Sequence, residues 1–294
     1  MSFTGEVKKE LCGISQEADE CCRFAECYGA LIMGKSFSQR EIKFSTEYDF
    51  AAEHVNSLLT NCLGETVCAV KQKNKKYVFE ITDREKTEDI LDLFGHEPNQ
   101  VNLRINRGNL ADDCCFAAFL RGAFLACGSI TDPKRNYHLE FVVPFLKLSQ
   151  DLYKLISDTG ISAKTVVRKG SHVIYIKDSE NIEDMLTLMG AQMSTLEIMS
   201  IKIQKDMRNK VNRKVNFECA NIERSVKAGL AQVEAIELIK TRQGLDTLPD
   251  GYRELALLRL SLKQLGENLS EPLSRSGVKH RLDKLIEISE KLKK

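Results

Sequence analysis

Two periodicities alternate along the first two thirds of the chain. Runs in which apolar and polar residues alternate, "REIKFSTEY" at 40–48 and "NYHLEFVV" at 136–143, predict half-buried β-strands. Each is followed by a stretch with helical apolar spacing: Ala51, Val55, Leu58 and Leu59 in one case, Phe145, Leu148, Leu152 and Leu155 in the other. "TVCAVKQ" with "KKYVFEIT", and "AKTVVRK" with "HVIYIKD", predict two further strands in each half. Helices rich in small residues open the halves at about 17–34 and 112–127, and helices close them at about 84–94 and 179–189. Each half therefore reads as α-β-β-α-β-β-α, with its first β stretch folded as a hairpin. That order predicts an α+β fold of antiparallel sheets covered by helices.

The residues repeat along with the pattern. "DREKTEDILDLFG" at 83–95 matches "DSENIEDMLTLMG" at 178–190, and "ECCRFAECYGALIMGKSF" at 20–37 matches "DCCFAAFLRGAFLACGSI" at 113–130. The offsets, 95 and 93 residues, are nearly equal, so the body is a tandem duplication. It places Gly29 with Gly122 and Ala30 with Ala123. A mid-helix glycine costs about 1 kcal/mol relative to alanine. Close packing of two helices about a pseudo-two-fold axis, through Gly29, Ala30, Gly122 and Ala123, compensates for that cost. Larger side chains would hold the axes about 8–10 Å apart.

A duplicated unit of this order, with a glycine-containing small-residue motif on its first helix, resembles the LAGLIDADG homing endonucleases. "LRGAFLACG" at 120–128 carries the motif in the second copy and "CYGALIMGK" at 27–35 in the first, where Lys35 replaces the final glycine. The resemblance implies a metal-binding acid at the end of each helix. Those positions hold Gly34 and Cys127, and neither supplies the hard oxygen that Mg²⁺ requires. Asp132, in "TDPKRN", reads as a turn residue. No catalytic residue is expected, and no cofactor.

Ten cysteines and five histidines occur without a single CxxC pair. The N-terminus lacks the apolar centre of a secretory signal, and no apolar run approaches the length of a membrane span. These features predict a cytoplasmic protein with reduced thiols and no membrane partner. The adjacent pairs Cys21–Cys22 and Cys114–Cys115 read as helix residues with one member in the core. A four-cysteine zinc site joining the halves is the alternative, but no metal is expected.

Charge then separates the chain into two parts. Residues 206–294 carry 18 Lys and Arg against 13 Asp and Glu, leaving 25 against 29 in residues 1–205, although the net charge is only +1. "SIKIQKDMRNKVNRKVN" at 200–216 is strongly basic, so Arg208, Lys210, Arg213 and Lys214 are candidate phosphate contacts. Ile222, Val226, Leu230, Val233 and Ile236 form the apolar stripe of a helix at 221–239. Helices at 249–260 and 261–269, the break "SEPLS" and a last basic helix then read as a helix-turn-helix over about 260–293. In that motif the second helix enters the major groove by its N-terminal turns. The candidate DNA-binding residues are Ser274, Arg275, Ser276, Lys279, His280 and Arg281, with Lys263 on the preceding helix suited to a phosphate. Arg104 and Arg107, in "NLRINRG", read as members of a solvated connecting loop.

The whole order, from "SFTGEVKKEL" through "FLRGAFLACGSITDPKRNYHLEF" and "NFECANIERSVKAGLAQVEAI" to "LSRSGVKHRLDKL", resembles the WhiA family of sporulation and cell-division regulators. This resemblance implies a non-enzymatic, DNA-binding transcriptional regulator of division, chromosome-segregation or sporulation genes, associated with the nucleoid. Double-stranded DNA is the expected partner, with RNA polymerase or another regulator as a further partner of the body. The expected domains are a first repeat at 1–110, a second at 111–205, a basic linker at 206–225 and the helix-turn-helix domain at 226–294. The competing readings are a protein-interaction scaffold and a metal-dependent endonuclease with relocated acids.

Overall fold

The computed structural model describes residues 1–14, 19–66, 68–98, 100, 102–258, 264 and 267–293. It divides into two compact units, Met1–Lys205 and Asp206–Lys294. Among the described residues no helix is long and apolar enough to cross a membrane.

The first unit opens with α1 (Phe3–Ile14), which buries Phe3, Val7 and Leu11 at intervals of four. Next come α2 (Glu20–Ile32), β1 (Ser36–Ser38), β2 (Glu41–Thr46), α3 (Asp49–Leu63), β3 (Lys71–Lys73), β4 (Lys76–Ile81) and α4 (Arg84–Leu93). The second repeat follows the same order with α5 (Asp113–Cys127), β5 (Gly128–Ile130), β6 (Leu139–Val143), α6 (Leu146–Asp158), β7 (Lys164–Arg168), β8 (Ser171–Ile176) and α7 (Ser179–Met189). Among the described residues the strands form two antiparallel four-stranded sheets, β1-β2-β4-β3 and β5-β6-β8-β7. The first two strands of each sheet pair directly with each other, as the hairpin reading requires. Among the described residues of "TVCAVKQ", only Lys71 and Gln72 pair in a strand, β3.

Strand alternation builds the core. Ile42, Phe44 and Thr46 point inward from β2, as do Leu139, Phe141 and Val143 from β6. Phe44 pairs with Phe79 across the first sheet and Phe141 with Ile174 across the second. The duplicated aspartates and glycines have local causes. Asp83 and Asp178 accept backbone N–H groups at the starts of α4 and α7, occupying donors that a helix N-terminus leaves unpaired. Gly95 and Gly190 end those helices at φ of +67° and +95°, a conformation that favours glycine.

The centre of the unit is the pair α2–α5. A Cβ on Gly122 would lie 2.0 Å from the Glu26 carbonyl oxygen, and one on Gly29 would lie 2.3 Å from the Phe119 carbonyl oxygen. Each helix thus passes its backbone through the space that the other leaves empty. Beside this contact Glu26, fully buried, accepts from Arg121 Nε at 3.0 Å and sits 2.9 Å from His54 Nε2. Arg121 also donates to the Met189 carbonyl at 3.3 Å. Two charges removed from water this way are tolerated only when paired and hydrogen-bonded.

The boundary between the units falls inside α8 (Gln192–Arg242), so residues 206–225 are helical. Glu10 of α1 caps this helix, accepting the N–H groups of Met193 at 2.7 Å and Ser194 at 3.0 Å. The second unit continues with α9 (Asp250–Leu257) and α10 (Arg275–Lys293). Its core is Ile239, Leu248, Leu255, Ala256, Leu269, Val278, Leu282 and Leu285. The short helix expected over 261–269 falls largely on residues outside the described set.

Candidate nucleic-acid interface

Packing of α10 decides which of its side chains are available. Val278, Leu282 and Leu285 recur at helical spacing and are buried against the core of the second unit, which turns the opposite face outward. Ser274 caps the helix. Its carbonyl accepts the Val278 N–H at 3.0 Å, and its hydroxyl accepts the Gly277 N–H at 3.2 Å. The same hydroxyl lies 2.9 Å from that of Ser276.

Arg275, Ser276, Lys279 and His280 are exposed on the first turns of α10. Arg281 is placed differently. Its Nη1 donates to the Gly251 carbonyl at 3.1 Å, and its guanidinium lies 5.9 Å from the centre of the Tyr252 ring. It braces α10 against α9. Glu254 ties down the approach to the helix by accepting the backbone N–H and the hydroxyl of Ser270, both at 2.7 Å. These bonds lower its carboxyl pKa, the hydroxyl contributing most. Lys263 lies outside the described residues.

Arg208, Lys210, Arg213 and Lys214 are exposed on α8, and among the described residues none of them forms an ion pair. At about 100° per residue, Lys210, Arg213 and Lys214 share an arc of roughly 100°, with Arg208 on the far side. The apolar stripe lies on a helix, α8, but is mostly bare: Ile222, Val226, Leu230 and Val233 are all exposed, and only Ile236 is partly covered. None of these four belongs to the core of the second unit, whose first member on α8 is Ile239. Periodicity showed which face of this helix is apolar, not what would cover it.

The ends of α2 and α5 form the other candidate site, a cleft of about 500 Å³ lined by both Gly34 and Cys127. Glu47 is the one carboxylate among the described residues lining it, whereas Lys8, Lys35 and Lys76 are all present. Lys8, buried, donates to the Leu125 carbonyl at 2.9 Å, where the last turn of α5 presents unpaired carbonyls to a cation. Burial lowers its pKa to about 8 and raises that of the Cys127 thiol to about 12. A protonated thiol, a glycine and an ammonium are not ligands for a hard divalent cation. The donor set does not fit the metal that the endonuclease fold implies.

Sequence reading missed α1 and with it Lys8. It also missed the Glu26–Arg121 pair, although opposite charges set among the small and apolar residues of the two helices were a visible signal. Arg104 and Arg107 are fixed rather than free. Arg104 makes two bonds to Asp151, at 2.6 and 2.7 Å, and Arg107 reaches Asp158 at 3.3 Å. Asp132 forms a turn, its side chain accepting the Lys134 N–H at 2.8 Å.

Comparison with known proteins follows this division. A sequence model of the WhiA LAGLIDADG-like domain matches residues 27–107 and 116–208. A second, for the WhiA C-terminal HTH domain, matches residues 211–289. The chain belongs to the WhiA family. The probable cell division protein WhiA of Ruminiclostridium cellulolyticum is 38% identical, covering 100% of this chain and 99% of that protein. The WhiA relative of Carboxydothermus hydrogenoformans, also named a probable cell division protein, is 37% identical over 100% and 98% of the two chains. Neither name describes an enzyme. The crystal structure of full-length DUF199/WhiA from Thermatoga maritima has a TM-score of 0.59 at 28% identity, covering 99% of this chain and 98% of that one. The WhiA architecture, a LAGLIDADG-like α+β body followed by a helix-turn-helix domain, thus extends over the chain.

Proposed function

We propose that this WhiA-family chain is a sequence-specific, DNA-binding transcriptional regulator whose body performs no phosphodiester chemistry. The observation that carries the reading is the outward face of α10, where Arg275, Lys279 and His280 are exposed while the opposite face is anchored in a core. A recognition helix needs that combination: free polar side chains on its first turns and a fixed axis. Arg275 and Lys279 have the reach and charge for guanine edges or phosphates, and Ser276 can donate to or accept from either. Lys210, Arg213 and Lys214 suit phosphates, where they would add affinity without sequence information.

The names of the relatives support cell-division genes as targets; chromosome-segregation or sporulation genes rest on the family resemblance alone, and association with the nucleoid would follow from binding duplex DNA. The acidic balance of the body favours a protein partner there, RNA polymerase or another regulator, over a second DNA surface. The lysine-rich cleft at Gly34 and Cys127 argues against cleavage.

The test is to select bound sequences from a random duplex library with the full chain, then measure affinity at two salt concentrations with Mg²⁺ present. Enrichment of one motif, affinity falling steeply with salt and DNA left intact support the regulator. Cut DNA would restore the endonuclease reading. The exposed apolar stripe on α8 favours a scaffold instead, and that reading prevails if no duplex binds even at low salt.

A further inference from the structure

The duplicated cysteine pairs play no part in the function proposed above, yet the fold brings them together. Cys21 and Cys22 occupy the second and third positions of α2, and Cys114 and Cys115 the same positions of α5. Those helices pack side by side from Ala25 and Ala118 to Gly29 and Gly122, and at their N-terminal ends all four sulfurs lie within 4.8 Å of one another. Cys22 and Cys115 are buried beside Ala25 and Ala118, another duplicated pair, while Cys21 and Cys114 are exposed.

We propose that Cys21, Cys22, Cys114 and Cys115 form a structural zinc site that staples the two repeats together. A Zn–S bond of about 2.3 Å in a tetrahedron sets sulfur–sulfur distances near 3.8 Å, so the observed cluster closes on one ion with shifts of about an ångström. An all-sulfur donor set selects a soft or borderline ion such as Zn²⁺ and rejects Mg²⁺ and Ca²⁺. The alternating burial leaves one edge open for the ion to enter.

Electrostatics bear on the same point. Binding replaces four thiol protons by one Zn²⁺, leaving a centre of charge −2 and changing no oxidation state. Two helix N-termini face that charge and stabilise it. The carboxylates of Glu20, Asp112 and Asp113 next to the pairs oppose it, and their exposure to solvent weakens the repulsion.

The experiment loads the reduced full chain with Zn²⁺, removes loose metal by dialysis and counts zinc by mass spectrometry. One zinc per wild-type chain is expected. The Cys21→Ser/Cys114→Ser variant, altered only at exposed positions, should fold and lose at least nine tenths of that zinc. Cys219→Ser, changed at an exposed thiol of the other unit, should keep it. Adding a chelator should lower the Tm of the wild type and leave that of the double variant unchanged. Replacing zinc by Co²⁺ gives a readout that needs no variant, since four thiolates around tetrahedral Co²⁺ produce intense visible bands. Zinc-free wild type, zinc retained by the double variant, or a Cys21–Cys114 disulfide in protein whose thiols are trapped at cell lysis would each overturn the proposal.

Discussion

Arginine serves opposite ends in the two units. In residues 1–205, Arg104, Arg107, Arg121 and Arg168 each meet a carboxylate, of Asp151, Asp158, Glu26 and Glu140 respectively. In residues 206–294, Arg208, Arg213 and Arg275 are exposed and form no ion pair among the described residues, and Arg281 is held by a carbonyl and a ring. The first unit uses these four guanidinium groups to join its own parts. The second pairs Arg253 with Asp246 at 2.8 Å but keeps several others in reserve. Whether a basic residue marks a binding surface depends on what already neutralises it, so a count of lysines and arginines cannot tell the units apart as well as their partners do.

The strongest way to break this contrast is to damage the first unit alone. Gly122→Leu should cost on the order of 4 kcal/mol or prevent folding, because the obstacle to a side chain is backbone of α2 and cannot rotate away. Thermal denaturation reads this directly, and a wild-type Tm would refute the close-packing account.

A second test concerns the buried cation of that unit. With its folded pKa lowered to about 8 from 10.5, Lys8 is less protonated in the folded chain than in the unfolded chain between those pH values. The cost of burying its charge is therefore fully present below pH 8 and relieved as pH rises towards 10.5, a gain of about 3 kcal/mol. Lys8→Met has no such titration. Denaturant unfolding should show wild type gaining stability relative to Lys8→Met over that window, and parallel curves would mean that Lys8 keeps its ordinary pKa.

Substitutions in the second unit should leave stability alone and alter binding. Arg275→Ala and Lys279→Ala should each weaken duplex binding by about 1–2 kcal/mol, with circular dichroism unchanged. A side chain that contacts phosphate should also reduce the salt slope by about one. Unaltered affinity in both variants would remove α10 from the interface. The smallest effect is expected at Arg104→Ala. Its pair with Asp151 is bidentate but half-exposed and screened by solvent, so unfolding experiments should show only a small loss of stability. A DNA-binding defect there would blur the division between the units and sharpen interest in the connecting loop.

Much of the architecture was legible because it is written twice. Asp83 and Asp178, Gly95 and Gly190, and Gly29 and Gly122 each perform one local task in both copies: a cap, a left-handed helix end, a close contact. α1 has no second copy to draw attention to it, and its charged residues disguise the Phe3, Val7, Leu11 spacing. The fate of the α8 stripe was not legible, since the same apolar face can be covered or left bare. The meeting of the four cysteines was legible only as an alternative to core packing. Adjacent residues on one helix do not face each other, and only the packing of two helices brings both pairs to one point. In the candidate interface, the outward set on α10 follows from apolar spacing, whereas the diversion of Arg281 to Gly251 depends on a tertiary contact with no sequence signature.

Duplication normally leaves one copy of a gene free to drift while the other keeps the original task. The reciprocal contact between Gly29 and Gly122 withdraws that freedom. What blocks a new side chain at either position is a peptide carbonyl, and no exchange of residues on the opposite helix can take a carbonyl away. A compensating mutation therefore does not exist among side chains. The two halves, however far their strands and loops diverge, are bound to keep the same two atoms missing.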